Sequence, residues 1–390
     1  MASHINGLAM MDGKLMSSSA NNYDYGDALG KAILFFEGQR SGNLPATQRV
    51  KWRGDSALSD GKLQNFGWPM AFTTSLLSWA AVEYESEISS VNQLGYLHSA
   101  IHWGADFILR AHTSPTTLYT QRPEDMDTAR AVYKIDANSP GTEAAAESAA
   151  ALAAASIVFK KIDANYSSTL LSKSKSDELL WAASWLYKAS GESKYLSYSI
   201  GNQGWSQAVS EFSWDNKYVG AQTLLTEEFY GGKKDLAKFK SDVESFICSV
   251  MPASSSLQIK TTPGIYVDYI LGSNPMKMSY MVGFGSKYPK QLHHRGSSIP
   301  SINVHPTKVG CNDGLSVYYN SANPNPNTHV GAIVGGPDSN DRFSDARSDY
   351  SHSEPTTYMN AAFVASVSAL LGKTTDRNQI QDSAVSPYRC

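Results

Sequence analysis

Carboxylates, imidazoles and a guanidinium crowd into two short stretches of this sequence. Residues 341–361 read DRFSDARSDYSHSEPTTYMNA and carry six ionised side chains, two tyrosines and a histidine, just ahead of an apolar run with helical spacing. Asp341, Asp345, Asp349 and Glu354 all precede the helix that this pattern starts near Thr356. Glu354 then lies by a positively polarised helix end while its neighbours crowd it with negative charge, and opposed influences of that kind can set a proton-transfer pKa. Cleaving a glycosidic bond uses two carboxyl groups: one protonated, for the leaving oxygen, and one ionised, to activate water or attack the sugar. A solvated acidic loop with an ordinary helix cap would carry the same residues.

The second stretch, Ser279 to Arg295, reads SYMVGFGSKYPKQLHHR, and its glycines permit tight backbone bends before His293, His294 and Arg295. Adjacent histidines cannot share one helical face, which argues against a helical zinc pair. On extended chain, His293 and Arg295 can address one hydroxyl-rich ligand or carboxylate; capping a helix or pairing with acids would suit them equally. Cys248, Cys311 and Cys390 have neither zinc spacing nor a disulfide framework and read as incidental thiols. No cofactor and no metal is expected.

The elements that must position these groups are helical. Asp27–Gln39, Pro69–Glu85, Gln93–Ala111, Thr142–Lys161 and Asp177–Ala189 repeat apolar residues at three- and four-residue intervals. Shorter candidates are Lys217–Phe229, Lys233–Val250, Ile265–Leu271 and Thr356–Leu371. Alternating Val, Ile and Thr are scarce, and Ser256–Thr262 is too short to build a sheet. The expected fold is all-α. Nine alanines between Thr142 and Ile157 would let one helix approach its neighbours closely, and the 177–189 segment is apolar around much of its circumference, so two concentric helical layers are implied. Residues 272–340, rich in Gly, Pro and Asn, form a long irregular region of the kind that usually carries function.

Composition narrows the partners. The chain has 390 residues, 42% of them apolar, and 33 basic against 36 acidic residues, so no net field would gather nucleic acid or an anionic membrane. No apolar run approaches the ~20 residues that span a bilayer, and the first 22 residues lack the pattern of a signal peptide. Asn165-Tyr-Ser is a glycosylation sequon, relevant only to a secreted chain. Eight Trp and 21 Tyr suit an aromatic-lined carbohydrate cleft as well as a large core.

Phe343-Ser-Asp345, Tyr350, Glu354-Pro-Thr356 and Asn360-Ala361, together with the segment ending Leu292-His293-His294-Arg295, resemble the two active-site signatures of glycoside hydrolase family 9, in particular its plant endo-β-1,4-glucanases. DALGKAILFFEGQRSGNLP, WRGDSALSDG, RPEDMDTAR and DELLWAASWLYKASG extend the resemblance over nearly the whole chain. It implies an (α/α)6 barrel, here incomplete, with an open aromatic-lined groove, and inverting hydrolysis of internal β-1,4-glucosidic bonds. The catalytic domain would span 23–373, between an extension at 1–22 and a tail at 374–390. By that resemblance Glu354 is the general acid, His293 and Arg295 hold the sugar, and Asp345 orients its neighbours. Tyr350 lies within the signature, and Trp214, in SEFSWDNK, would offer a stacking face. The partner would be a β-1,4-glucan met by a monomer, outside the cell or in the cell wall.

One departure stands out. Family members follow WRGDS with Gly-Gly-x-x-Asp-Ala-Gly-Asp-x-x-Lys-Phe, which supplies the catalytic base; here Ser59 to Asn65 runs directly into Phe66-Gly67-Trp68-Pro69. Similar abrupt joins occur at Gln121/Arg122, Ser176/Asp177 and Gly264/Ile265. An impaired member that at most binds glucan is the alternative these joins raise.

Overall fold

Asp24 starts the first helix by accepting a hydrogen bond from the Asp27 amide at 2.8 Å, so α1 runs Tyr25–Gly38, two residues ahead of the start its apolar spacing implies. The computed structural model describes residues 23–56, 58, 67–121, 132–175, 179–250, 267–307 and 309–376. The proposed extension at 1–22, most of the tail, the Ser59–Phe66 join and the 256–262 segment lie outside the described residues.

α2 (Gly67–Glu83), α3 (Glu85–Ser90) and α4 (Leu94–Ala111) follow. A small antiparallel sheet then forms from β1 (His112–Ser114), β2 (Thr117–Gln121) and β3 (Tyr133–Ile135), a minor addition to the all-α architecture. The alternation in Thr-Leu-Tyr-Thr-Gln is too short to stand out against the helical background. α5 (Thr142–Phe159), α6 (Ala164–Ser174), α7 (Leu180–Ser190), α8 (Ser193–Gly201), α9 (Tyr218–Tyr230), α10 (Ala237–Val250) and α11 (Val267–Leu271) complete the middle of the chain. α6 is polar enough to escape periodicity and is announced by its cap, Asp163, which accepts from the Tyr166 amide at 2.9 Å. Among the described residues after α11, α12 (Arg295–Ser298), α13 (Cys311–Asp313), a π-helix (Gly314–Tyr319) and α14 (Tyr350–Ser353) precede the long α15 (Thr357–Asp376).

The layers follow from burial. Every residue from Ala71 to Ala81 in α2, Ala146 to Ser156 in α5, Leu180 to Leu186 in α7 and Val219 to Thr226 in α9 is buried, so these helices are covered on all sides. α15, α2, α5, α7 and α9 pack on one another in succession as an inner ring, and α11 joins it against α15. α4, α6, α8 and α10 pack outside, on α2 and α5, on α5, on α7 and on α9 respectively, while α1 backs α15. This is the (α/α)6 barrel. α5 is long and apolar enough to cross a bilayer by length and composition, yet 67% of it is buried in the protein, as its inner place requires. At the outer end of α10, Cys248 is disulfide-bonded, which corrects its reading as an incidental thiol.

An ion pair sits inside the ring. Glu147 on α5, 1% exposed, accepts from Trp181 Nε1 on α7 at 2.9 Å and from Ser75 Oγ on α2 at 3.1 Å, and its other oxygen meets Lys217 Nζ at 2.9 Å. Three inner helices and the loop before α9 thus converge on one carboxylate. Removing one partner of such a pair strands a buried charge, at a cost of about 3–5 kcal/mol. Lys217→Met should therefore lower the urea unfolding free energy by about that amount. Adding Glu147→Gln, which keeps an acceptor for Trp181 and Ser75, should restore most of the loss.

Candidate active site

The two chemistry-bearing stretches meet at one end of the barrel. His293 donates its backbone N–H to the Ser353 carbonyl at 3.2 Å, so the imidazole segment and the residue before Glu354 are directly hydrogen-bonded across 60 residues of sequence. Asp345 reinforces the junction: its two oxygens accept from the Lys290 and Gln291 amides at 2.8 and 2.9 Å. A carboxylate engaged by two backbone amides is a clamp, and here it orders the irregular segment leading to His293.

His293 Nδ1 lies 2.9 Å from the Arg347 carbonyl. A carbonyl only accepts, so the hydrogen is on Nδ1, and in the neutral ring Nε2 keeps its lone pair for a hydroxyl donor. The ring is walled edge-on by Tyr319 and Tyr350, with centroids at 5.7 and 6.0 Å. Tyr350 is 60% exposed, and Glu354 and Arg295 are exposed too, so the groups flank an open surface, as a polymeric ligand would need. Glu354 follows α14 in extended conformation and precedes α15, whose cap is Thr356: its hydroxyl accepts from the Met359 amide at 3.3 Å. Beside it, burial pushes the Tyr358 phenol upward, with the charges of Glu354 and Asp215 adding to the effect. Asp215 follows Trp214, so that loop reaches the same end of the barrel. Trp214 packs edge-on against Trp68 at 5.2 Å, and Lys217 Nζ donates to its carbonyl at 2.6 Å.

Gly335 shows how tightly the α14 segment is seated. A Cβ there would lie 2.2 Å from the Ser351 carbonyl oxygen, so only glycine lets the two backbones pass. Among the described residues no group of three or more His, Cys, Asp or Glu side chains could hold a metal ion.

Sequence reading missed Arg347, the residue that assembles this end. It is 3% exposed, and its guanidinium donates to Asn325 Oδ1 at 2.8 Å and to the carbonyls of Tyr318, Tyr319, Ser321 and Asn323 at 2.7–3.0 Å. Asn325 in turn donates to the Leu292 carbonyl and Ser297 Oγ at 3.1 and 2.8 Å, and Asn327 to the Gly296 and Ile299 carbonyls at 3.2 and 2.6 Å. The Asn-Pro run that reads as plain turn signal is thus a hydrogen-bonded cradle for the His293–Arg295 segment. Arg347 between Asp345 and Tyr350 was visible in the sequence; that its charge turns inward was not.

Known proteins match this chain over its length. Glycosyl hydrolase family 9 is matched by residues 25–176, 172–267 and 265–367. An endoglucanase of Phaseolus vulgaris is 68% identical, with 95% of this chain and 96% of that protein covered, and Endoglucanase 20 of Arabidopsis thaliana is 54% identical, with 92% and 97% covered. The first alignment is 477 positions long against a chain of 390 residues, so at least 87 positions of the bean protein have no counterpart here. The breaks between the family segments fall near residues 172–176 and 265–267, at two of the abrupt joins. Among solved structures, the endoglucanase of the termite Nasutitermes takasagoensis superposes with a TM-score of 0.76 at 31% identity, covering 90% of this chain and all of that one. With both signatures hydrogen-bonded to each other at one end of a helical barrel, and with relatives of this identity, the chain belongs to glycosyl hydrolase family 9.

Proposed function

We propose that this chain hydrolyses internal β-1,4-glucosidic bonds of cellulose-like glucans with inversion, Glu354 delivering the proton to the leaving oxygen. The observation that carries the reading is the His293 N–H···Ser353 carbonyl bond, which seats an imidazole with a free Nε2 lone pair beside the carboxyl-bearing segment. His293 Nε2 can accept from one sugar hydroxyl while Arg295, on the same segment, donates to another, fixing the ring next to the scissile bond. Tyr350 and Trp214 supply aromatic faces for neighbouring sugars. Asp345, clamped on two amides, acts by positioning and leaves the proton transfer to Glu354. The resemblance assigns the base to a motif that is absent after Asp60, so as the glycosidic bond breaks Glu354 protonates the leaving oxygen, while water adds to the opposite face of the sugar and gives up its proton to bulk solvent.

Further features of the reading are a monomer acting on polysaccharide, independent of nucleic acid and membrane, in an oxidising extracellular or cell-wall setting. The Cys248 disulfide supports that setting, because such bonds persist outside the reducing cytosol.

Reducing-end release from carboxymethyl-cellulose tests the assignment. Glu354→Gln should lower kcat by about 10²–10⁴-fold, with a smaller loss on substrates whose leaving group needs no proton. Wild-type turnover no higher than that of Glu354→Gln, with oligosaccharide binding retained, would make the chain a glucan binder instead. Arg347→Met removes five hydrogen bonds from the cradle; it should raise KM for cello-oligosaccharides and cost at least about 3 kcal/mol of stability, measured by urea unfolding.

A further inference from the structure

Gln39, at the C-terminal end of α1, stands between two imidazoles outside the groups assigned so far. The amide atom placed as Nε2 is 2.8 Å from His329 Nε2 and 3.2 Å from His294 Nε2, while that placed as Oε1 is 3.4 Å from His294 Nε2. His294 also caps α12: its Nδ1 accepts from the Ser297 amide at 3.1 Å. A backbone N–H cannot accept, so neutral His294 must carry its hydrogen on Nε2. As placed, the acceptor offered to that N–H is Oε1 at a long 3.4 Å, while the nearer amide atom, at 3.2 Å, is a nitrogen that cannot accept.

The two ends of a glutamine amide have the same shape, and their assignment follows from the hydrogen-bond network. Turned over, the amide places Oε1 at the central position, where it accepts from His294 Nε2–H at 3.2 Å and His329 Nε2–H at 2.8 Å. The same turn settles His329 Nδ1, which is buried with no hydrogen-bond partner. It becomes a bare lone pair, less costly to bury than an orphaned N–H.

We infer that Gln39 is a positioning residue, whose single amide oxygen accepts from both imidazoles, fixes their tautomers, and so holds the cap that sets Arg295 and His293. The surroundings enforce the arrangement. His329 is fully buried, stacked on Phe35 at 4.7 Å, edge-on to Trp52 at 5.4 Å and 4.8 Å from the His294 ring. Gly38 makes room for it, since a Cβ there would come within 2.2 Å of His329 Cε1. Among the described residues, the charged or titratable groups facing the pair are Arg53, from the loop after α1, and His293; α1 presents Phe35, Gly38 and Gln39. Burial, with Arg53 adding to it, holds both rings neutral, His294 down to about 4 and His329 well below the usual imidazole range. Protonated His294 would lose the Nδ1 lone pair that caps α12 and would set a positive charge against a helix N-terminus. Because its folded value lies below the unfolded one, His294 contributes stability that is complete above about pH 6.5 and is lost as pH falls toward 4.

The effect on turnover rests on the hydrolase reading; the tautomers do not, so the two can fail separately. Long-range ¹H–¹⁵N spectra of histidine-labelled full-length chain should show both His294 and His329 as Nε2–H forms near pH 7. Gln39→Glu keeps two acceptor bonds: the tautomers and KM should persist while the imidazole titrations move up by about 1–3 units. Gln39→Met removes the acceptor; His294 should lose its single tautomer and KM for cello-oligosaccharides should rise ~tenfold, the worth of one positioned hydrogen bond, with kcat less affected. Finding His329 as the Nδ1–H form in the wild type, or an unmoved His294 tautomer and KM in Gln39→Met, would overturn the inference.

Discussion

The buried guanidinium of Arg347 is the interaction on which the chemical end of this barrel depends. Taking a charge of that size out of water costs several kcal/mol, and only a full set of partners offsets it. Four carbonyls and one side-chain amide supply them, each charge-assisted bond contributing about 1.5–3 kcal/mol. The consequence is geometric. A guanidinium is rigid and planar, so the carbonyls it gathers from residues 318–323 are fixed in direction, and its own carbonyl is left to orient His293. Lysine, a point charge on a flexible stem, could not hold five acceptors in one plane.

A second buried charge does comparable work for the helices. Glu147 ties α2, α5 and α7 to Lys217, and Lys217 reaches on to the Trp214 carbonyl, so the inner ring and the aromatic loop share one polar junction. The alanine-rich face of α5 allows the close approach that this junction needs. The bean relative carries at least 87 aligned positions that this chain lacks, yet the junctions described here are complete among the residues that remain.

The inner helices were legible because burial on all sides leaves continuous apolar sequence, and α5 begins at the Thr142 that its pattern indicates. α1 was misplaced by two residues because a cap, Asp24, outranks periodicity in setting where a helix starts. α6 and α8 were missed since outer helices bury too narrow a stripe, α6 having only Ser167, Leu170 and Ser174 inside. The three short strands pair only through tertiary contact and leave little trace in five residues of alternation. Cys248 shows the same limit: spacing along the chain does not reveal which sulfurs meet in space.

By itself the sequence determined the residue types that could do chemistry, their order in two signatures, and the predominantly helical layering, because side-chain chemistry and 3.6-residue periodicity are local properties. Tertiary structure alone decided that Asp345 clamps amides, that Arg347 turns inward, and that Gln39 lies between His294 and His329, 255 and 290 residues away along the chain. Such roles depend on which donors find which acceptors once water is excluded, and no local pattern encodes that choice.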